Sequence, residues 1–256
     1  MMQFNVFIRK EFIELFRTGK AAVLLIVYSI FGIMNPALAK LTPWMLSLMS
    51  KSLADQGVVI GSIVVNALTA WTQYFKNMFM EYVLVLALFS GIFSAEFQSG
   101  TLINILTKGL PRWKTVAAKW TVMLVCWSVC YWLTFGITFG YSEYFWGNSS
   151  LSGLGLSVFC SYLLGIWILS LELVFASFFR SGVNAFLSTG AIYASVYALG
   201  GIPVFSAWLP VRLDSSFSLL TGALTPADFP VALIVAAVLS VANIALAIAV
   251  FQKKQL

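Results

Sequence analysis

The chain has 256 residues, of which 61% are hydrophobic and only 9% charged, with a mean hydropathy of +0.94. A soluble domain carries about 25% charged residues, so this composition places nearly the whole chain in a lipid bilayer. The net charge of +6 does not point to nucleic acid, because the cations stand at the ends of apolar runs, and the absence of histidine excludes His-based triads and the usual zinc sites.

Residues 3–17 come first. Phe4, Phe7, Ile8, Phe12, Leu15 and Phe16 recur at helical spacing, while Asn5, Arg9, Lys10, Glu14 and Arg17 hold the other side. The pattern predicts an amphipathic helix in the headgroup plane, or else a plain extension of the first span. Glu11 and Glu14 among the early charges, with no small-residue cleavage site after them, argue against a cleavable signal peptide. Residues 21–39 are uncharged and long enough, at about 28 Å, to form span 1. Asn35-Pro36 is expected to kink or fray its outer end.

Residues 57–75 form a second uncharged run, followed directly by the apolar run 77–95, which carries only Glu81. If both crossed separately, Lys108, Arg112, Lys114 and Lys119 would fall outside, against the positive-inside rule. Residues 77–95 are therefore read as span 2. Residues 57–75 are left as an outer-leaflet helix, a re-entrant piece or an outward extension of span 2, with Trp71, Tyr74 and Phe75 as an interfacial aromatic belt.

The longest polar interruption follows, at 96–119. Glu96 and Gln98 open it, and Ser99-Gly100-Thr101 breaks the preceding helix and offers hydroxyl caps. Leu102, Ile105 and Leu106 share one face of a short helix that Gly109 ends, with Pro111 in the turn. Arg112, Lys114 and Lys119 mark the return to the bilayer, at headgroup level.

Span 3 is 120–142 and contains Gly136 and Gly140, a GxxxG spacing that lets another helix approach closely. The outer loop after it holds Glu143 and Asn148, and Asn148-Ser149-Ser150 has the form of a glycosylation sequon. Span 4, 156–179, carries Glu172, a carboxylate costing about 2.5–3.5 kcal/mol to insert. Its readings are proton or substrate contact in a pathway, or a structural hydrogen bond. Span 5 is 183–205, softened by Gly200-Gly201 and Pro203, and 206–229 lies outside. Span 6 is 230–251. This topology puts Arg9, Lys10, Arg17, Lys20, Lys108, Arg112, Lys114, Lys119, Arg180, Lys253 and Lys254 inside. Only Lys40, Lys51, Lys76 and Arg212 are outside, and both termini are cytoplasmic.

No G-x-x-x-x-G-K-[ST], H-E-x-x-H or closely spaced aspartate pair occurs, so the chain is not expected to be an enzyme or to hold nucleotide or metal itself. Cys126, Cys130 and Cys160 lie inside apolar runs and read as packing residues. A proton-coupled or passive transporter using Glu172 is the alternative to a transporter driven by a partner.

Lys10-Glu11 and Arg17 just before span 1, and Glu96, Gly100-Thr101, Leu102, Leu106, Arg112 and Lys119 in the first inner loop, resemble the pattern of type-2 ABC transporter permeases. The departure is at the turn, where Gly109 and Pro111 stand in place of the family's proline and serine. The resemblance implies an all-α membrane protein, one permease domain over 1–256. It has six transmembrane helices, an elbow helix at 3–17 and a cytoplasmic coupling helix between spans 2 and 3. It implies a multi-pass protein of the bacterial plasma membrane that pairs with a second permease copy and a separate ATP-binding subunit, which would hold ATP and Mg. The coupling residues would be Glu96, Gln98, Ser99, Gly100, Thr101, Leu102, Ile105, Leu106, Gly109 and Arg112. Size and layout are similar to permeases that export phenol-soluble modulins and other antimicrobial peptides. The aromatic content of 16% suits amphipathic or hydrophobic cargo.

Overall fold

In lipid a backbone must satisfy its own hydrogen bonds, and each long apolar run among the described residues does so as a helix. The computed structural model describes residues 2–54, 65–98, 100 and 111–254, and no strand occurs among them. The helices are α1 (Met2–Arg17), α2 (Lys20–Ala54), α3 (Ala67–Phe89), α4 (Ser94–Gln98), α5 (Arg112–Trp146), α6 (Leu154–Phe178), α7 (Gly182–Gly200), α8 (Pro203–Ser206) and α9 (Pro230–Lys253). Two 3-10 segments, Pro210–Leu219 and Pro226–Asp228, separate α8 from α9.

Among the described residues, five stretches are long and apolar enough to cross a membrane: Lys20–Met45, Ala67–Phe97, Arg112–Trp146, Leu154–Phe178 and Pro226–Lys253. The expected span 183–205 is not among them. It is α7, 19 residues diluted by Asn184, Ser188, Thr189, Tyr193, Ser195 and Tyr197, and it stops at Gly200 before Pro203 starts α8.

Several expected boundaries shift. Span 1 does not end at 39, because α2 runs to Ala54 through Pro36 and Pro43. Lys40 does not break it, since its ammonium lies 3.8 Å from the centre of the Phe145 ring, a cation–π contact. Pro36 lacks the N–H that would serve the carbonyl of Gly32. The Thr138 hydroxyl donates to that carbonyl instead, at 3.1 Å, so the helix passes the proline without fraying. Asn35 donates to Thr138 Oγ1 at 3.2 Å and accepts from Asn77 at 2.7 Å, joining α2, α3 and α5. A Cβ on Gly32 would stand 2.9 Å from that of Ile137, so a glycine is needed for this approach. Gly136 and Gly140 meet nothing within 4 Å of their would-be Cβ positions. The helix contact at this point comes from Thr138 and Ile137, and not from the GxxxG pair.

Ala67–Phe75 is continuous with span 2 in α3, started by Asn66, whose side chain accepts from the Thr69 N–H. The rest of the 57–75 run lies outside the described residues, apart from 65 and 66. Trp71 and Tyr74 are not a lipid-facing belt: both are fully buried, and Trp71 donates to Asn148 Oδ1 at 3.0 Å. Asn148 is itself buried and also accepts from Ser142, so the sequon asparagine is a core residue.

Helix α6 lies at the centre, packed on α5, α7, α9 and the first 3-10 segment. Gly165 allows its closest approach, since a Cβ there would lie 2.2 Å from the Trp127 ring. Trp127, Tyr131, Tyr162 and Tyr82 stack around that point. The three cysteines are buried and free, in keeping with packing roles.

Candidate functional site: a buried ion-pair cluster at one pole

The ends of α5, α6 and α9, the start of α7, and α1 and α4 meet at one pole. There the chain turns from Phe89 through Gly91 into α4, and the Gly91 backbone lies so close to Gly182 that a Cβ on the latter would stand 3.0 Å from it. Helix α1 lies across α5, with Phe7 packed on Ala118. Gly19, at φ +73°, supplies the left-handed turn that separates α1 from α2.

This arrangement brings Lys10, Glu11 and Glu14 of α1 against Glu96 of α4 and Lys119 of α5. Lys119 is 1% exposed, Glu96 4% and Glu11 6%. The Lys119 ammonium stands 3.0 Å from Glu11 and 2.9 Å from Glu96, and also donates to the Ile92 carbonyl at 2.9 Å. Lys10 pairs with Glu11 at 3.0 Å, with Glu14 at 2.8 Å and with Glu96. The Phe93 and Phe7 rings flank Lys119, 5.3 and 5.9 Å from its ammonium.

Two buried carboxylates thus share two ammonium groups. Burial opposes the charge on Lys10, but hydrogen bonds to Glu14 and Glu96 and the field of Glu11 outweigh it and hold its ammonium above the usual lysine range. Carboxylate oxygens of Glu11, Glu14 and Glu96 lie within 4.8 Å of one another, a spacing that would suit a divalent cation. The Lys10 ammonium pairs with all three, so the cation of this cluster is the protein's own.

A second set of contacts closes the same pole. Arg112 donates to the carbonyls of Gln252 and Lys254 at 2.9 and 2.7 Å, and to that of Phe251 at 3.4 Å. It thereby serves the unpaired carbonyls at the end of α9. Lys254 in turn donates to Ser177, Phe178 and Phe179 at the end of α6, at 2.9, 3.0 and 3.1 Å, and lies 4.0 Å over the Phe97 ring. Burial, helped by the Arg180 charge, pushes Lys254 down to about 8.

Of the residues expected to form the coupling site, Glu96 and Arg112 are at this pole, Gln98 ends α4, and Gly100 takes φ +67° just after it. Ser99, Thr101, Leu102, Ile105, Leu106 and Gly109 lie outside the described residues. Lys10 and Glu11 join the cluster, whereas Arg17 is exposed at the end of α1 and takes no part in it. Lys119, expected to mark the return to the bilayer, is buried inside the protein. The pairing of Lys119 with Glu11 across 108 residues has no local signal; only the lysine's place at the head of an apolar run hints at it.

Glu172 is far from this cluster in role. It is fully buried on α6, and neither of its oxygens takes a hydrogen bond from a described residue. The Thr189 hydroxyl of α7 lies beside it and also donates to the Ala185 carbonyl at 3.0 Å.

Residues 6–218 match the family model described as "ABC-2 family transporter protein". No curated protein matches the chain.

Proposed function

The chain belongs to the ABC-2 transporter family, and from that premise we propose that it is the membrane-spanning permease subunit of an ATP-driven exporter of amphipathic peptides or other hydrophobic cargo. A member of this family is a membrane transport component that normally works with an ATP-binding subunit. In our reading two permease copies pair with two such subunits in the bacterial plasma membrane, with both termini cytoplasmic. Helix α1 is the elbow in the headgroup plane, α7 completes six spans, and 96–119 is the coupling stretch.

The observation that carries this reading is the ion-pair cluster. Glu96 begins the coupling stretch and Lys119 ends it, and both are clamped to Lys10 and Glu11 of α1. A push on the loop from an ATP-binding partner would reach α1, α3 and α5 together, because a buried pair resists separation by several kcal/mol. Leu102, Ile105 and Leu106 supply the apolar grip for the partner, which holds ATP and Mg.

The test is co-purification with an ATP-binding subunit, whose gene is expected beside that of this chain. Leu102→Asp with Leu106→Asp is expected to abolish the complex while the permease stays monodisperse. Undiminished binding by that double variant would sink the coupling assignment. Stimulation of the reconstituted ATPase by a panel of amphipathic peptides and other amphiphiles then identifies the cargo. Transport that survives ATP depletion and is lost in Glu172→Gln would instead establish a proton-coupled transporter.

A further inference from the structure

Two cavities meet at Tyr197 and Asp214. The larger, of about 570 Å³, lies between α3, α6 and α7, against Phe79, Tyr82, Ile168, Phe186 and Tyr193; Asp214 is the one charged residue on its wall. The smaller, of about 400 Å³, is the more polar of the two and includes Arg212, Ser206, Ser215 and Ser218. One chamber is apolar and lined by three helices, the other is hydroxyl-rich, and an acid stands at their junction.

Among the described residues Arg212 and Asp214 form no ion pair with each other or with a third group. Asp214 makes no ion pair among the described residues; it is open to the cavity, yet enough protein surrounds it to push its carboxyl above the usual range. Arg212 holds its guanidinium 5.8 Å from the Phe229 ring, and its buried Nε has no hydrogen-bond acceptor. The acid whose field Arg212 reaches, Asp228, is occupied by the Thr225 N–H and hydroxyl at 2.8 and 2.9 Å. Unpaired opposite charges in one chamber complement a head that carries both signs.

Size selects the rest of the ligand. The larger chamber falls in the range of small-molecule sites. A single hydrocarbon chain can lie in a space of this size between three helices.

We infer that the two chambers form one binding site for a single-chain amphiphile with a zwitterionic head. Its chain lies between α3, α6 and α7, its cationic group meets Asp214 and its anionic group meets Arg212. Calling this occupant cargo rests on the transporter reading above; the site itself does not.

The probe is lysophosphatidylcholine with a diazirine near the end of its chain, crosslinked to the full chain in membranes and mapped by mass spectrometry. Labelling is expected on the α3 and α7 peptides around Phe79–Leu86 and Phe186–Ala198. Unlabelled lysophosphatidylcholine should compete, while a fatty acid or an alkyltrimethylammonium of equal length should compete at least tenfold less well. Asp214→Asn and Arg212→Gln are each expected to lower labelling about tenfold, the worth of one hydrogen bond to a charged group. Gly190→Leu should abolish it. A Cβ at Gly190 meets nothing within 4 Å, so this variant fills the cavity without straining the helix.

Equal labelling of α2 and α9, or labelling unchanged by all three variants, would overturn the site. Crosslinking needs neither ATP nor a partner, so failure of the unmodified chain to bind any ATP-binding subunit, with intact labelling, would refute the transporter reading alone. Intact labelling with a partner ATPase that lysophosphatidylcholine does not stimulate would refute the occupant as cargo.

Discussion

Lys119→Met removes the cation at the centre of the buried cluster while keeping most of its stem, so it reports on charge more than on volume. The variant loses pairs at 3.0 and 2.9 Å and a donor to Ile92 at 2.9 Å, and leaves Glu11 and Glu96 almost fully buried. Removing one partner of a buried pair costs about 3–5 kcal/mol. Lys10 still pairs with both carboxylates, which holds the loss near the lower end, about 3 kcal/mol. For a chain of this size about 2 °C accompanies each kcal/mol, so the midpoint for loss of monodisperse protein on heating should fall by about 6 °C. Lys114→Met is the control: among the described residues Lys114 makes only a long contact to Trp113, at 5.7 Å, and the variant should change the midpoint by about 1 °C or less. Adding Glu96→Gln to Lys119→Met removes the stranded charge and should recover part of the loss. If Lys119→Met is no less stable than Lys114→Met, or if Glu96→Gln makes it worse by its full single-variant cost, the cluster is not a coupled unit.

Gly165→Ala should unfold α6 from Trp127, with at least the 1–3 kcal/mol typical of overpacking, read as a lower thermal midpoint; Trp127→Leu should restore it. Thr138→Val leaves the Gly32 carbonyl and the Asn35 amide without their partner and should cost about 1–3 kcal/mol, while Thr138→Ser should keep most of the stability. In a cysteine-free variant, single cysteines at exposed Trp113 and Ser149 should label from opposite sides of the membrane; labelling from one side breaks the proposed topology.

The helical class and most spans are legible in the sequence because uncharged runs of bilayer length leave the backbone no other way to pair. What the runs do not carry is how far each helix continues past the apolar part. Helix α2 extends beyond Lys40 because that ammonium finds the Phe145 ring, a contact set by another helix. Pro36 reads as a fray point only while Thr138, about a hundred residues later, is ignored. Trp71 and Tyr74 look interfacial by type and position, yet a polar partner, Asn148, makes the interior open to Trp71. At the site, Lys10, Glu11 and Glu96 are visible as charges beside apolar runs, and the resemblance to type-2 permeases singles them out. Their mutual pairing, and the recruitment of Lys119, are products of tertiary structure. The amphiphile site has no sequence signal at all, since Asp214 and Arg212 sit in a 3-10 segment that reads only as a mixed outer loop.

The capping pair at the pole sets an order of assembly. Arg112 and the carbonyls of Ser177, Phe178 and Phe179 are synthesised long before the residues that complete them, Gln252 and Lys254, leave the ribosome. Until then Arg112 has no carbonyls from α9 to serve and those at the end of α6 lack the Lys254 ammonium. Docking of α9 supplies both partners at once, so the two helix ends can be satisfied only together.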